Sequence, residues 1–487
     1  MTIKNSLAAT ALVSACFVVL STTPAEAGKW RFEPRISAHV TFTDNVDLDD
    51  GTKQSDTVLR VQPGFFIASE GNRARFEANY DGSLLHFTGD GRTDWRNRLQ
   101  SKLLVEPIER YLFITATAIM AEPFVDETSS VTFSEDNFSR NRRRVVSFGV
   151  SPFLRHRLGR IADVEWRYNL RHVRVQDPAP DDPTPRFIDN YTSHTGQLKV
   201  DSGDRFGRLR WDILARYETR QREGNVPNGE EVLVRGSMEY RILTWLGVVG
   251  SAGWQQIEDP DLSEFIDDFI WDVGLRLRPT RKTDITVTYG RENADKRVAV
   301  DASYERKRWR FRARYLNEIS LTQRRFSRVV GDGSFDQDEI FTDPFGAIVD
   351  PDDAVFGFLN ETFRSRRLQF DVIYTHRRTR ADIQGYYEKR RFDTTMQETR
   401  EFNIRSRISR ELNDHFRISL DLRYRHTDFD IGPSRVDDFF GVRSSIIYEL
   451  SQYITARLSY TFSTLDSNIA GVDRTENVVA GSVRAIF

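Results

Sequence analysis

A single cysteine, Cys16, occurs among the 487 residues, and it lies inside an apolar leader. A mature chain without thiols forms neither disulfides nor thiolate metal sites, which suits a protein that crosses an oxidising compartment. Long apolar runs are equally scarce. Beyond residue 20 none approaches the roughly 18 residues that a transmembrane helix requires, and the mean hydropathy of −0.52 is that of a soluble chain. Helical membrane insertion is thereby excluded. A β-barrel is not, because only alternate residues of a barrel strand meet lipid and an average conceals that face. Excess charge of one sign is also missing: a formal net charge of −2 offers no basic field to nucleic acid. The eight histidines are scattered without zinc-ligand spacing. No nucleophile-elbow or phosphate-loop pattern stands out, so no metal, cofactor or catalytic residue is expected. Two oxygen-rich stretches, Asp44–Gly51 and Asp332–Glu339, lack the spacing of a helix-loop-helix calcium site and read as solvated loops.

What is present begins with Lys4, an apolar run from Leu7 to Leu20 and the small-residue site Ala25-Glu26-Ala27. Together they read as a cleavable signal peptide over residues 1–27, with the mature chain starting near Gly28. Val13-Ser14-Ala15-Cys16 also resembles a lipoprotein cleavage box, but the apolar run continues past it and suits a signal core better.

From there, about twenty-two segments of roughly nine to thirteen residues alternate apolar with polar. Trp309, Phe311, Ala313 and Tyr315 alternate with Arg310, Arg312 and Arg314; Phe416, Ile418, Leu420, Leu422 and Tyr424 alternate with Arg417, Ser419, Asp421 and Arg423. Successive side chains of a strand point to opposite faces, so each segment has one lipid face and one wet face. The connections alternate short with long. With the N-terminus in the periplasm, the short turns near Glu70–Arg73, Leu243–Trp245 and Glu411–His415 fall inside, and the Asp-, Gly-, Pro- and Asn-rich connections fall outside. The sequence therefore predicts an all-β fold: a single transmembrane antiparallel β-barrel spanning residues 28–487. It would have about 22 strands (range of about 18–24), short periplasmic turns and long extracellular loops. The longest connection, at about residues 317–366, either folds inward or stays outside as a surface loop. The first strand is placed near Arg35, which leaves no room for an N-terminal plug.

The chain end is the most specific local signal. Val479, Gly481, Val483, Ala485 and the terminal Phe487 occupy every second position, forming an amphipathic last strand that resembles the C-terminal signal read by the barrel-assembly machinery. The wet faces carry the other bias, since the chain has 61 arginines and 9 lysines. Arg73, Arg75, Arg96, Arg98, Arg167, Arg210, Arg216, Arg310, Arg312, Arg314, Arg417 and Arg457 are the candidate lumen-lining residues. The planar fork of arginine suits carboxylate and phosphate, so such a lumen favours an anionic solute or polymer. Acidic residues share these faces, among them Glu77, Glu165, Glu239, Asp272, Asp371 and Asp421. The competing reading is a lattice of ion pairs that braces the wall from within.

At the mature N-terminus, Trp30-Arg31-Phe32-Glu33-Pro34-Arg35-Ile36 leads into Val40-Thr41-Phe42-Thr43-Asp44-Asn45-Val46-Asp47-Leu48. This opening resembles that of the exosortase (PEP-CTERM) system-associated outer-membrane β-barrel family, whose members resemble porins encoded beside exopolysaccharide biosynthesis genes in Gram-negative bacteria. The resemblance implies an outer-membrane channel for a hydrophilic substrate, with exopolysaccharide and its export apparatus as partners, and no catalytic residues to carry over. Lipid and lipopolysaccharide of the outer membrane and the barrel-assembly machinery are further expected partners. A non-conducting scaffold barrel and a general diffusion porin are the alternatives. Read from the residues alone, Asp44 and Asn45 are turn formers at the end of the first strand.

Overall fold

In hydrocarbon every backbone N–H and C=O must find a partner within the protein, so a sheet spans a bilayer only by closing on itself. The computed structural model meets that condition with a 22-stranded sheet. It describes residues 29–48, 52–124, 132, 134, 136–137, 142–176, 190–223, 227–260, 262, 264–292, 295–321, 362–392, 396–430 and 434–487. The strands are β1 (Lys29–Thr43), β2 (Asp56–Glu70), β3 (Ala74–Phe87), β4 (Thr93–Ile108), β5 (Leu112–Ala121), β6 (Val145–Leu158), β7 (Ala162–Val175), β8 (Tyr191–Ser202), β9 (Leu209–Arg222), β10 (Gly229–Arg241) and β11 (Leu246–Glu258). They continue as β12 (Ile266–Leu277), β13 (Thr283–Glu292), β14 (Asp295–Arg306), β15 (Trp309–Leu321), β16 (Thr362–His376), β17 (Thr379–Phe392), β18 (Glu398–Glu411), β19 (Phe416–Asp430), β20 (Arg435–Glu449), β21 (Ile454–Ser467) and β22 (Arg474–Ile486). Each strand pairs antiparallel with the next, and β22 pairs with β1 from Arg35↔Ile486 to Thr43↔Val478. The predicted signal peptide and the middle of the longest connection, residues 322–361, lie outside the described residues.

β1 starts six residues before the predicted Arg35, and β15 and β16 extend into the stretch read as loop from 317 to 366, so the connection between them is 322–361. The added residues keep the alternation and pair fully: Leu316↔Arg367, Asn317↔Arg366 and Ile319↔Arg364.

The pairings carry one alternation unbroken around the circle. One register is the lipid face, and it bears the exposed large side chains Trp30, Phe42, Met238, Val273, Leu458 and Val483. Val479, Gly481, Val483 and Ala485 belong to it through Phe42↔Val479, Val40↔Gly481, Ala38↔Val483 and Ile36↔Ala485. Aromatic contacts mark its periplasmic edge, where Trp309 and Tyr374 lie 4.5 Å apart and Phe416 and Tyr448 also 4.5 Å apart. The opposite register faces the lumen.

The seam between first and last strands is pinned at its extracellular end by the residues that follow β1. Asp44 accepts from the Asn477 backbone N–H at 2.7 Å and from Asn477 Nδ2 at 2.8 Å. Val46 folds over the wall to pack with Val58, Leu85 and Phe87. The turn residues of the N-terminal motif thus lock the closure.

Two-residue periplasmic turns require left-handed backbone, for which glycine and asparagine are the usual residues. Between β16 and β17 that place is taken by Arg377, with φ 51°. Arg377→Gly is expected to stabilise the folded barrel by about 1 kcal/mol, read as a higher urea midpoint in a lipid-vesicle refolding titration. An unchanged or lower midpoint would show that the arginine side chain compensates for its backbone strain.

Candidate functional site: the barrel lumen

Eleven of the twelve arginines named from sequence fall in the inner register: Arg75, Arg96, Arg98, Arg167, Arg210, Arg216, Arg310, Arg312, Arg314, Arg417 and Arg457. Arg73 does not. It sits in the turn between β2 and β3, where its guanidinium reaches Glu109 of the neighbouring turn at 3.2 Å. The ladder of β3 begins only at Ala74, and a turn residue belongs to the rim rather than the wall.

Many inner arginines are paired with carboxylates of the same wall. Arg96 meets Asp94 at 2.8 Å, Arg167 meets Glu165 at 3.0 Å, Arg216 meets Glu231 at 2.5 Å and Arg314 meets Asp301 at 2.8 Å. A four-membered square forms where Arg276 and Arg278 each contact both Glu239 and Asp284, at 2.6–3.1 Å. Charges removed from water are tolerated when paired with good geometry, and these pairs lie along the wall, some within one strand, as Arg96–Asp94 and Arg167–Glu165, and others between strands, as Arg216–Glu231, Arg314–Asp301 and the square.

In two ties that span a strand a glycine makes room. Arg35 on β1, Gly64 on β2 and Asp81 on β3 form one inner rung. With no side chain on Gly64, Arg35 crosses above it to donate Nε to Asp81 Oδ1 at 2.9 Å and Nη2 to Oδ2 at 2.6 Å. A Cβ at Gly64 would stand 2.5 Å from Asp81 Oδ1. On β10, Gly229 opens the same window between Arg220 and Asp259, whose pair at 3.0 Å is fully buried; a Cβ there would meet Asp259 Oδ2 at 2.8 Å. Inner-face glycines were not singled out from sequence, although an isolated glycine within an alternating segment is a readable sign of close approach.

The inner face changes character along the barrel axis. Near the periplasm it is charged and open, Arg310 being 58% exposed, whereas Arg220 in the extracellular half is 2% exposed. At the extracellular end the inner register turns apolar, with Val58, Leu85, Phe87, Val145, Val173, Leu233, Ile257, Ile266, Phe363, Phe392, Phe429, Phe439, Leu465 and Val478 all buried. This collar was missed in the sequence, which was read as uniformly polar on the wet face. Its trace is a loss of alternation, visible in the doublets Val58-Leu59, Leu84-Leu85, Val145-Val146 and Phe439-Phe440.

Below the collar the connection between β5 and β6 enters the lumen. Asp136 accepts from Thr41 at 2.6 Å and pairs with Arg60 at 3.0 Å. Glu476 on β22 accepts from Thr132 at 2.7 Å and from Asn137 Nδ2 at 2.5 Å, and Arg96 donates to the Asn137 carbonyl at 2.9 Å. Thr132, Ser134, Asp136 and Asn137 are buried. One connection therefore ties β1, β2, β4 and β22 together across the interior. The inward candidate from sequence was the 317–366 stretch, whose central residues lie outside those described.

Space remains on the other side. A recess of about 700 Å³ opens along the wall from β8 to β14, lined among others by Arg210, Asp212, Arg235, Glu239, Asp272 and Arg297. A second of about 510 Å³ lies at the periplasmic end beside Arg278, Asp284, Arg310 and Arg312. Among the described residues no cluster of His, Cys, Asp or Glu is arranged to hold a metal ion.

A closed antiparallel barrel with an apolar outer belt, aromatic edge and charged interior has the fold of outer-membrane porins and transporters. Residues 399–487 match the family model described as Putative beta-barrel porin 2. Among solved structures the chain is similar to the siderophore receptor PirA from Acinetobacter baumannii, at 7% identity over 94% of this chain and 80% of that one, with TM-score 0.53. It is also similar to the FrpB iron transporter (F5-1 variant) from Neisseria meningitidis, at 11% identity over 95% and 83%, TM-score 0.51. The ferric-catecholate import receptor Fiu from E. coli K12 matches at 9% identity over 93% and 81%, TM-score 0.51. At these identities the likeness is one of fold. No curated protein matches the sequence.

Gly64→Val is expected to drive Arg35 and Asp81 apart and to lower unfolding free energy by about 3 kcal/mol, measured by urea titration in vesicles. Gly236→Ala, on the lipid face where a Cβ would meet only the Ala252 carbonyl at an ordinary 3.9 Å, is the tolerated control. Equal stability of the two variants would remove the window role of Gly64.

Proposed function

We propose that this barrel is a porin-like channel for a hydrophilic substrate, with exopolysaccharide the class named by its N-terminal resemblance, and that it is not an enzyme. The observation that carries the proposal is the charged inner wall, exposed and recessed toward the periplasm below a buried apolar layer at the extracellular end. A polymer arriving from the periplasm would meet guanidinium and carboxylate groups already spaced along strands, suited to bidentate hydrogen bonds with hydroxyl, carboxylate or phosphate groups. Selectivity would come from constriction and charge, and passage would be passive. The segment held by Asp136 and Glu476 narrows this path, and its release widens it.

A second reading, a non-conducting scaffold barrel, draws support from the apolar collar and from the buried ion pairs of the extracellular half. Single-channel conductance of the refolded full chain in a planar bilayer separates the two. Discrete steps blocked by acidic polysaccharide support the export channel. Folded barrel without steps, under voltage and salt gradients, supports the scaffold. Replacing Arg310, Arg312 and Arg314 together by serine is expected to lower anion over cation permeability severalfold while leaving heat-modifiable gel mobility intact. Unchanged selectivity would sink their role in the pore. Asp136→Ala combined with Glu476→Ala is expected to raise unitary conductance by a factor of about two, since the side-chain ties of the inward segment to Thr41, Arg60 and Glu476 are lost and the Arg96 contact to the Asn137 carbonyl remains.

Assembly follows from the chain end. Recognition by the barrel-assembly machinery would rest on Val479, Gly481, Val483, Ala485 and Phe487, which follow one another along the outer face of the strand that closes the seam. Deletion of Phe487 is expected to cut the membrane-inserted fraction severalfold in cells, and normal insertion of that truncation would count against the signal.

A further inference from the structure

Outward-facing side chains at the extracellular ends of the strands do not share charge evenly. Pairing sets Arg366, Lys389 and Arg400 in one rung across β16, β17 and β18, and Arg364 and Arg391 in the next rung outward. Directly beneath them, in the same outer register, stand Leu368, Tyr387 and Phe402. One rung is two residues, about 7 Å along a strand. The apolar belt ends on Tyr387 and Phe402, and the cations begin immediately above, at the depth of the lipid headgroups. On the adjoining β19 and β20 the outward residues at a comparable height are acidic, Asp428, Asp430 and Asp438, and a separate acidic sector with Glu230, Glu258 and Asp267 lies further round on β10 to β12, beyond β13 to β15.

Within the cationic sector one outward carboxylate, Glu398, is shared by Lys389 Nζ at 2.8 Å and Arg400 Nη2 at 2.8 Å. Arg366, 55% exposed, reaches Asp295 only at 3.4 Å. Arg391 turns toward Met396 Sδ at 3.5 Å. Arg400 also reaches Asp428 on β19 at 3.8 Å. Arg366, Lys389, Arg391 and Arg400 thus outnumber the carboxylates Glu398, Asp295 and Asp428 that they contact, in a rigid sheet that holds the four cations within two neighbouring rungs. Such an array on a lipid-facing wall is costly in hydrocarbon and favourable only against anions in the headgroup layer.

We propose that the outer face of β16 to β18 is a binding site for the phosphate groups of an outer-leaflet lipopolysaccharide, its acyl chains lying on Leu368, Tyr387 and Phe402. Arginine forks and a lysine point charge suit the tetrahedral phosphate monoester, and the acidic residues of β19 and β20 bound the sector on that side. The proposal rests on the barrel fold and is independent of whether the lumen conducts.

The full-length barrel, extracted in mild detergent and separated from excess lipid, is probed with hexa-acylated lipopolysaccharide, the same lipid dephosphorylated, and inorganic phosphate, with retained lipid counted by native mass spectrometry. The wild type is expected to retain phosphorylated lipid, to lose most of it when the phosphates are removed, and to be unaffected by millimolar inorganic phosphate. The variant R366Q/K389Q/R391Q/R400Q is expected to bind at least about tenfold more weakly, each basic group near an anionic surface contributing roughly a factor of five. Heat-modifiable mobility checks that it remains folded, and E230Q/E258Q on the acidic sector should retain lipid as the wild type does. Equal retention by the fourfold variant, or equal retention of dephosphorylated lipid, overturns the site. Full displacement by inorganic phosphate overturns the lipid as its occupant.

Discussion

The constraint on which this molecule depends is that no backbone hydrogen-bonding group can face hydrocarbon unpaired. It forces the sheet to close, and closure makes the seam between β1 and β22 as important as any interior pairing. The turn after β1 reinforces that seam: Asp44 accepts from the backbone and side chain of Asn477, and Val46 folds over the wall into an apolar cluster. Once closed, the sheet imposes its alternation all round, and the inner and outer surfaces become two separate chemical worlds.

On the inner surface, closure creates a problem of charge. An arginine-rich wall of this kind would repel itself if the carboxylates were elsewhere. Instead Glu239, Asp284, Glu165 and Asp301 lie within ion-pair distance of their arginines on the same strand, the next or the next but one. Glycine at Gly64 and Gly229 extends the pairing across a whole strand, because removing one side chain from the rung lets an arginine reach the next strand but one. The same lattice stiffens the wall and leaves exposed charge at the periplasmic end, where the recesses are. Bracing and the proposed substrate contact would therefore belong to different heights of one wall.

Along the axis the lumen is asymmetric. A polar channel wall has no reason to bury phenylalanine, yet Phe87, Phe363, Phe392, Phe429 and Phe439 are buried on the inner register at the extracellular end. They form the kind of packed apolar layer that holds covering segments in place. The segment containing Asp136 and Asn137 lies under that layer, anchored by buried polar groups. Charge and recesses toward the periplasm, with a buried apolar layer at the other end, are what the proposed direction of passage rests on.

The sequence by itself determined the strand alternation, the even strand number, the apolar belt and the inner placement of residues such as Arg167, Arg312 and Arg457. Each follows from a period of two that needs no knowledge of neighbours. It misplaced Arg73, because an alternating run does not say where the ladder stops and the turn begins. What only the tertiary structure decided is which residues meet across strands far apart in the chain. Glu476 and Asn137 are 339 positions apart, and nothing local in either segment marks the other. The inward course of the β5–β6 connection, the glycine windows and the cationic sector on β16 to β18 all depend on register between strands, which is set by closure and shear of the whole barrel rather than by any one segment.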